Sequence, residues 1–259
     1  MPTSITDPKL NALLNAISDP AGKTAITNAL LASPPLLAMY TDMANGNHGD
    51  QVLTKIDYNP DIGDKTGWYS SGTMHIGLGW ISVSGSINQE KLSYLMGHEG
   101  QHDVDAADVA AADSTFNQAV SNKASSGGSQ PHDYTAILAA DQQAHLNDEG
   151  KADIAGWNAA VSALGHPPTA TDISTLTSLL GHSFYDGNGN LKPGFAPDPN
   201  NPGQILITDP QTVANAANQY GNYTPSTGNG VADTYRQFYD GPKIDAIAIA
   251  ENGRAFQID

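Results

Sequence analysis

Residues Met96-Gly97-His98-Glu99-Gly100-Gln101-His102-Asp103 decide how this chain is read. Two histidines stand four apart, with a glutamate directly after the first. On an α-helix, residues four apart lie one turn apart on the same face, so His98 and His102 can aim two imidazoles at one ion. Glu99 is turned about 100° around the axis, where it reaches a water on that ion rather than the ion itself. That is the physical content of H-E-x-x-H: two zinc ligands and a general base. Gly97 and Gly100 are poor helix formers, at about 1 kcal/mol each. They make sense beside such a motif if another backbone or a substrate packs close.

Working outward, the run from Gln89 to Asn122 contains no proline and is rich in alanine. Asn88 can cap it, and Glu90 suits the positive end of the helix dipole. The helix is therefore expected to continue well past His102. A loop, SSGGSQP (125–131), precedes a second long helix from about Asp133 to Leu164, which His166-Pro167-Pro168 ends. Upstream, LNALLNAIS and AITNALLAS read as two helical pieces, with Ser33-Pro34-Pro35 breaking the pattern. QVLTKIDYN and GTMHIGLGWISVSG read as strands, the second as a sheet edge punctuated by glycine. Downstream, ATDISTLTSLLG reads as a short helix capped by Thr171 or Asp172. ILITD reads as a short strand and QTVANAANQYG as a helix. The end of the chain reads as helix or irregular structure followed by a strand.

Composition narrows the chemistry. The chain has 259 residues, enough for one large domain with an N-terminal lobe of about 1–125 and a C-terminal lobe of about 130–259. It has no cysteine, so a metal must be held by His, Asp, Glu or water. Net charge is -16 with 11 Lys plus Arg, which argues against nucleic acid and against an anionic membrane surface as partners. No run is apolar enough to span a bilayer, and the N-terminus lacks a Sec-type leader. These features are shared by cytoplasmic enzymes and by proteins exported without a cleavable signal, bacterial effectors and toxins among them.

Two histidines do not complete a catalytic zinc site, which takes three protein ligands plus water. Asp108 stands where a metzincin pattern places its last ligand. That pattern needs a glycine turn, whereas Asp105 stands at the turn position and the helix continues. Asp108 then lies about 240° from His102 and points away. The alternative lies in HLNDEGKADIAGW, where Glu149 and Asp153 share a helical face. H-E-x-x-H on one helix followed by E-x-x-x-D on the next resembles the gluzincin zinc peptidases, of the thermolysin kind, over roughly residues 70–165. The resemblance implies a zincin-like α+β fold and amide hydrolysis of a peptide or protein substrate, cell-wall peptides among the options. It implies zinc held by His98, His102 and Glu149, with Glu99 as general base. It also implies that Asp153 accepts the far N–H of a ligand histidine, His98, and that GTMHIGLGWIS is the edge strand that pairs with an extended substrate.

The oxyanion needs a donor. The candidates are His182 and Tyr185 foremost, then His132, Tyr134, His145 and Tyr235. His75, in the proposed edge strand, can face the cleft. Asp186-Gly187-Asn188-Gly189-Asn190 spaces oxygens like the start of a calcium loop but lacks the bidentate glutamate, so a plain turn is the better reading. The rival to an enzyme is a non-catalytic binding module stabilised by zinc, with a residue such as His145 closing a four-ligand site.

Overall fold

The first helices all begin in the same way, an oxygen-bearing cap followed by proline. Asp7, Asp19 and Ser33 accept from the backbone N–H three residues on, and helices α1 (Pro8–Asn15), α2 (Pro20–Ala32) and α3 (Pro34–Asn45) follow. Such a cap contributes about 1 kcal/mol, and proline in the first turn costs nothing because its missing N–H would be unpaired there. Ser33-Pro34-Pro35 therefore ends α2 and at once opens α3, a helix the break was not expected to start. The computed structural model describes residues 4–47, 51–60, 67–127, 131–181, 184–186, 188–223 and 234–258.

A three-stranded sheet follows, built from β1 (Lys55–Tyr58), β2 (Gly67–Ser70) and β3 (Thr73–Ile76) in the order β1-β3-β2. β3 is parallel to β1 and antiparallel to β2. The turn between β2 and β3 is Ser71-Gly72, both in the left-handed region, which is the tight hairpin turn matched to strand twist. The expected edge strand over 72–85 is corrected here. β3 is the central strand, and after Gly77 the chain leaves the sheet for a small ribbon, β4 (Ser82–Val83) and β5 (Ser86–Ile87). The strand at the edge beside the next helix is β2.

That helix, α4 (Gln89–Ser125), is capped by Asn88, whose side chain accepts from the Lys91 N–H. At 37 residues it is about 55 Å long. After β6 (His132–Asp133), α5 (Thr135–Ala163) returns along it. The two backbones nearly touch at paired glycines. A Cβ on Gly97 would lie 2.8 Å from the Ala155 carbonyl oxygen, and one on Gly156 would lie 2.8 Å from the Tyr94 carbonyl oxygen. This is the close approach that glycine beside the motif anticipated. The residues assigned to two lobes thus share a spine, α4 from one and α5 from the other.

The remaining elements are α6 (Ala170–Leu180), α7 (Pro210–Tyr220), α8 (Tyr235–Glu251) and β7 (Phe256–Gln257), the last parallel to β6. Thr169 caps α6 in a capping box with Asp172, two residues before Thr171, the earlier of the two caps the sequence suggested. ILITD is not a strand; Ile205 makes only an isolated bridge to Pro197. Three apolar clusters hold the chain. One joins α1–α3 and the sheet to Leu92, Leu95 and Met96 of α4. A second joins Ile154 and Trp157 of α5 to α6 and α7. A third joins Phe116 and Val120 of α4 to Tyr134, Leu138 and Ile247 of α8. Each buried Leu, Ile or Phe contributes about 1.5–3 kcal/mol, and α4 takes part in all three clusters. The architecture is mixed α+β, mostly helical, and no helix among the described residues is long and apolar enough to cross a membrane.

Candidate metal centre

His98 and His102 point from one face of α4, one turn apart, toward Glu149 on α5. Their Nε2 atoms are 3.3 Å apart. Glu149 Oε2 lies 3.5 Å from His98 Nε2 and 3.6 Å from His102 Nε2. A zinc ion bound tetrahedrally at about 2.0–2.1 Å needs ligand atoms about 3.3–3.4 Å apart. The three atoms therefore already stand within about 0.2 Å of metal-ligand spacing. Oε2 is buried and makes no hydrogen bond of ordinary length among the described residues, which is costly unless something positive sits against it.

The charge balance points the same way. Burial alone would lower the His102 pKa, but Glu149, Asp148 and Glu99 together hold it up to about 10. Burial would raise Glu149, yet His102, His98 and Tyr239 bring it down to about 2. Without a metal, the pocket keeps a proton on His102, where a cation belongs. Glu99 is half-buried, and burial pushes its carboxyl above the ordinary value against the pull of His98 and His102. It accepts from the backbone N–H of Tyr69. In a two-residue hairpin the pair next to the turn is hydrogen-bonded and the following pair, Tyr69 and Met74, is not. The outward backbone groups of edge strand β2 therefore face Glu99.

Asp153 is corrected. It does not hold a ligand histidine: it accepts from the Tyr94 hydroxyl, and His98 Nδ1 has no hydrogen-bond partner among the described residues. Tyr94 stacks on His98 at 5.9 Å, so Asp153 reaches that ring only through a tyrosine. The carboxylate that accepts from one of the two candidate histidines is Asp148, whose Oδ2 takes the His102 Nδ1–H at 2.8 Å. The reason is the level at which the antiparallel helices cross: Asp153 stands opposite Tyr94, and Asp148 stands opposite His102.

Asp108 is 83% exposed and faces Lys151, outside the ligand group. Tyr185 is also corrected: it is buried against Trp157, two turns of α5 beyond Glu149, in the second cluster. His182 and Gly187 lie outside the described residues, so the first choice of oxyanion donor and part of the proposed calcium loop do too. Asp186 takes the N–H groups of Asn188 and Asn190, as a plain turn does. His132 and Tyr134 both bond Glu251, far along α4 from the site. His75 stacks on Trp68 and faces Asp57. Tyr235 lies beside the site: its ring is 4.5 Å from that of Tyr220, which stacks on His98. Its hydroxyl meets that of Tyr220, and it feels the charges of Glu149 and Glu99.

His145 belongs to a second group, with Asp113 and Asp141. Lys243 of α8 already fills the cation position there, bonding Asp113 and, at 2.9 Å, Asp141. This group is an ion-pair knot that pins α8 to α4 and α5. The fourth ligand that a closed structural zinc site would take from His145 is thus engaged elsewhere.

Sequence reading missed four residues around the ligands. Asp148 is one. The others are aromatic: Tyr94 and Tyr220, which flank His98 with ring centroids at 5.9 Å each, and Tyr239, whose hydroxyl donates to Glu149 Oε1 at 2.5 Å. The available signal was the stripe Tyr235, Phe238, Tyr239 at helical spacing near the end of the chain. Comparison with known protein families, with curated proteins and with solved structures finds no match.

Proposed function

We propose that the chain is a zinc-dependent peptidase of the gluzincin type, with a zincin-like catalytic arrangement. The observation that carries this reading is the convergence of His98 Nε2, His102 Nε2 and the unpaired, buried Glu149 Oε2 at 3.3–3.6 Å, with Glu99 directly after the first ligand. A zinc ion held by these three atoms would polarise a water and the scissile carbonyl.

The chain's own groups supply the rest. Glu99 takes a proton from the attacking water as the new C–O bond forms, and returns it to the amine as the C–N bond breaks. Its raised pKa suits a group that must both accept and give. Tyr235, oriented by Tyr220, is the donor best placed for the oxyanion among the candidates. Among the described residues no strand pairs with the outer edge of β2, and that edge beside Glu99 is where an extended peptide would pair. His102 is held in one tautomer by Asp148.

The test is zinc content and hydrolysis of a mixed peptide library by wild type, Glu149→Ala and Glu99→Gln. Wild type is expected to hold about one zinc per chain and to cleave. Glu149→Ala loses metal, and Glu99→Gln keeps metal but loses cleavage. Full cleavage by Glu99→Gln, or no zinc in wild type after zinc is added back, would overturn the reading.

A further inference from the structure

Helix α8 has no part in the chemistry just described except Tyr235, yet it places a hydroxyl on a proposed ligand. Glu149 has two oxygens. Oε2 faces the histidines, and Oε1 accepts from Tyr239 at 2.5 Å. The Tyr239 ring is itself held, stacked on His145 at 4.9 Å with 16° between planes. His145 Nε2 in turn bonds Asp113 at 3.1 Å. Lys243, one turn after Tyr239, ties α8 to the same Asp113 and to Asp141. A continuous set of contacts thus runs from α4 through α8 to Glu149 on α5.

We infer that Tyr239 is a positioning residue that occupies one oxygen of Glu149, so that the glutamate presents a single oxygen to the metal and α8 forms part of the metal centre. A carboxylate with two free oxygens can rotate and chelate through both. A phenol fixed by stacking on one side and bonded to Oε1 on the other prevents this. Partners of this kind typically alter metal affinity 10–100-fold. The inference rests on the metal reading proposed above.

The experiment uses the full chain, stripped of metal, as wild type, Tyr239→Phe and Tyr239→Leu. Zinc affinity is measured by competition with a chromophoric chelator, and Co2+ loading is followed by its visible spectrum, which reports coordination geometry. Tyr239→Phe keeps the ring on His145 and removes only the hydroxyl. It is expected to bind zinc 10–100-fold more weakly than wild type and to change the Co2+ spectrum, with Tyr239→Leu no tighter than Tyr239→Phe. Thermal unfolding of the metal-free proteins separates this from loss of fold. If Tyr239→Phe matches wild type in affinity and spectrum, the hydroxyl does not position Glu149 and the inference fails alone, even where Tyr239→Leu binds poorly. If wild type takes up neither zinc nor cobalt, the metal reading fails and takes this inference with it.

Discussion

Gly97→Ala tests the link between helix packing and the candidate site. In an isolated helix this change is favourable by about 1 kcal/mol. Here the new Cβ would meet the Ala155 carbonyl oxygen at 2.8 Å, Gly156 Cα at 3.0 Å and Ala159 Cβ at 3.0 Å. Two of the three are backbone atoms and cannot swing aside. Ordinary contact begins at 3.4 Å, so α4 and α5 must part by about 0.6 Å. Overpacking of this kind costs about 1–3 kcal/mol, which leaves a net destabilisation of about 1 kcal/mol after the propensity gain. The same separation acts on the ligands, because His98 and His102 ride on α4 and Glu149 on α5. Their spacings of 3.5 and 3.6 Å already slightly exceed the roughly 3.3–3.4 Å that zinc needs, so zinc affinity should fall about tenfold or more, about 1.4 kcal/mol. Urea unfolding with and without zinc measures both effects. If Gly97→Ala stabilises the protein and leaves zinc affinity unchanged, the close crossing does not set the site's geometry.

Three further outcomes are expected. Asp148→Asn removes the charge that holds His102 Nδ1–H and should weaken zinc binding 10–100-fold, read by chelator competition. Lys243→Met leaves Asp141, 2% exposed, facing Asp113 without its cation, and should lower the urea-derived stability of the metal-free protein by about 3 kcal/mol. The Glu251 carboxyl is held below its ordinary value by the Tyr134 hydroxyl first, and by His132 and Arg254, against burial. A carboxyl depressed in the folded state stabilises above the ordinary glutamate pKa and loses that contribution as pH falls toward the folded value. The stability gap between wild type and Glu251→Gln should therefore be full near neutrality and narrow below about pH 4.3, and a gap that widens on acidification would contradict the assignment.

The parts of the site carried by local spacing could be read from the sequence. His98, Glu99 and His102 are fixed relative to one another by one helix, and Asn88 and the alanine-rich run announce that helix. Glu149 was legible because α5 is equally regular. What spacing alone does not fix is the level at which two helices cross. Asp148 and Asp153 differ by little more than one turn of α5, and the sequence gives both an acid beside a ligand histidine. Contact at Gly97 and Gly156 decides between them, by setting Asp148 against His102 and Asp153 against Tyr94. The sheet was misread for a related reason. Alternation in residues 73–76 marks a strand, but a strand with partners on both sides and an edge strand alternate alike. Only the short segment Gly67–Ser70, which carries little apolar signal, shows which strand lies outside.

Tyr239 was the least accessible of all, 90 residues beyond the glutamate it touches. Its place depends on α8 docking against α4 and α5, and that docking combines Lys243 between two aspartates, Asp240 accepting from Gln142, Glu251 against His132 and Tyr134, and a small apolar cluster around Ile247. The same logic explains why the glycines are tolerated. At positions 97 and 156 they forgo about 2 kcal/mol of helix propensity, and in return two backbones come close enough for the imidazoles of α4 and the carboxylate of α5 to meet at 3.5–3.6 Å. Alanine at either position would favour each helix alone and separate the carboxylate from the imidazoles. The local weakness beside the motif and the spacing of the ligand atoms are therefore one feature, set by the distance between α4 and α5.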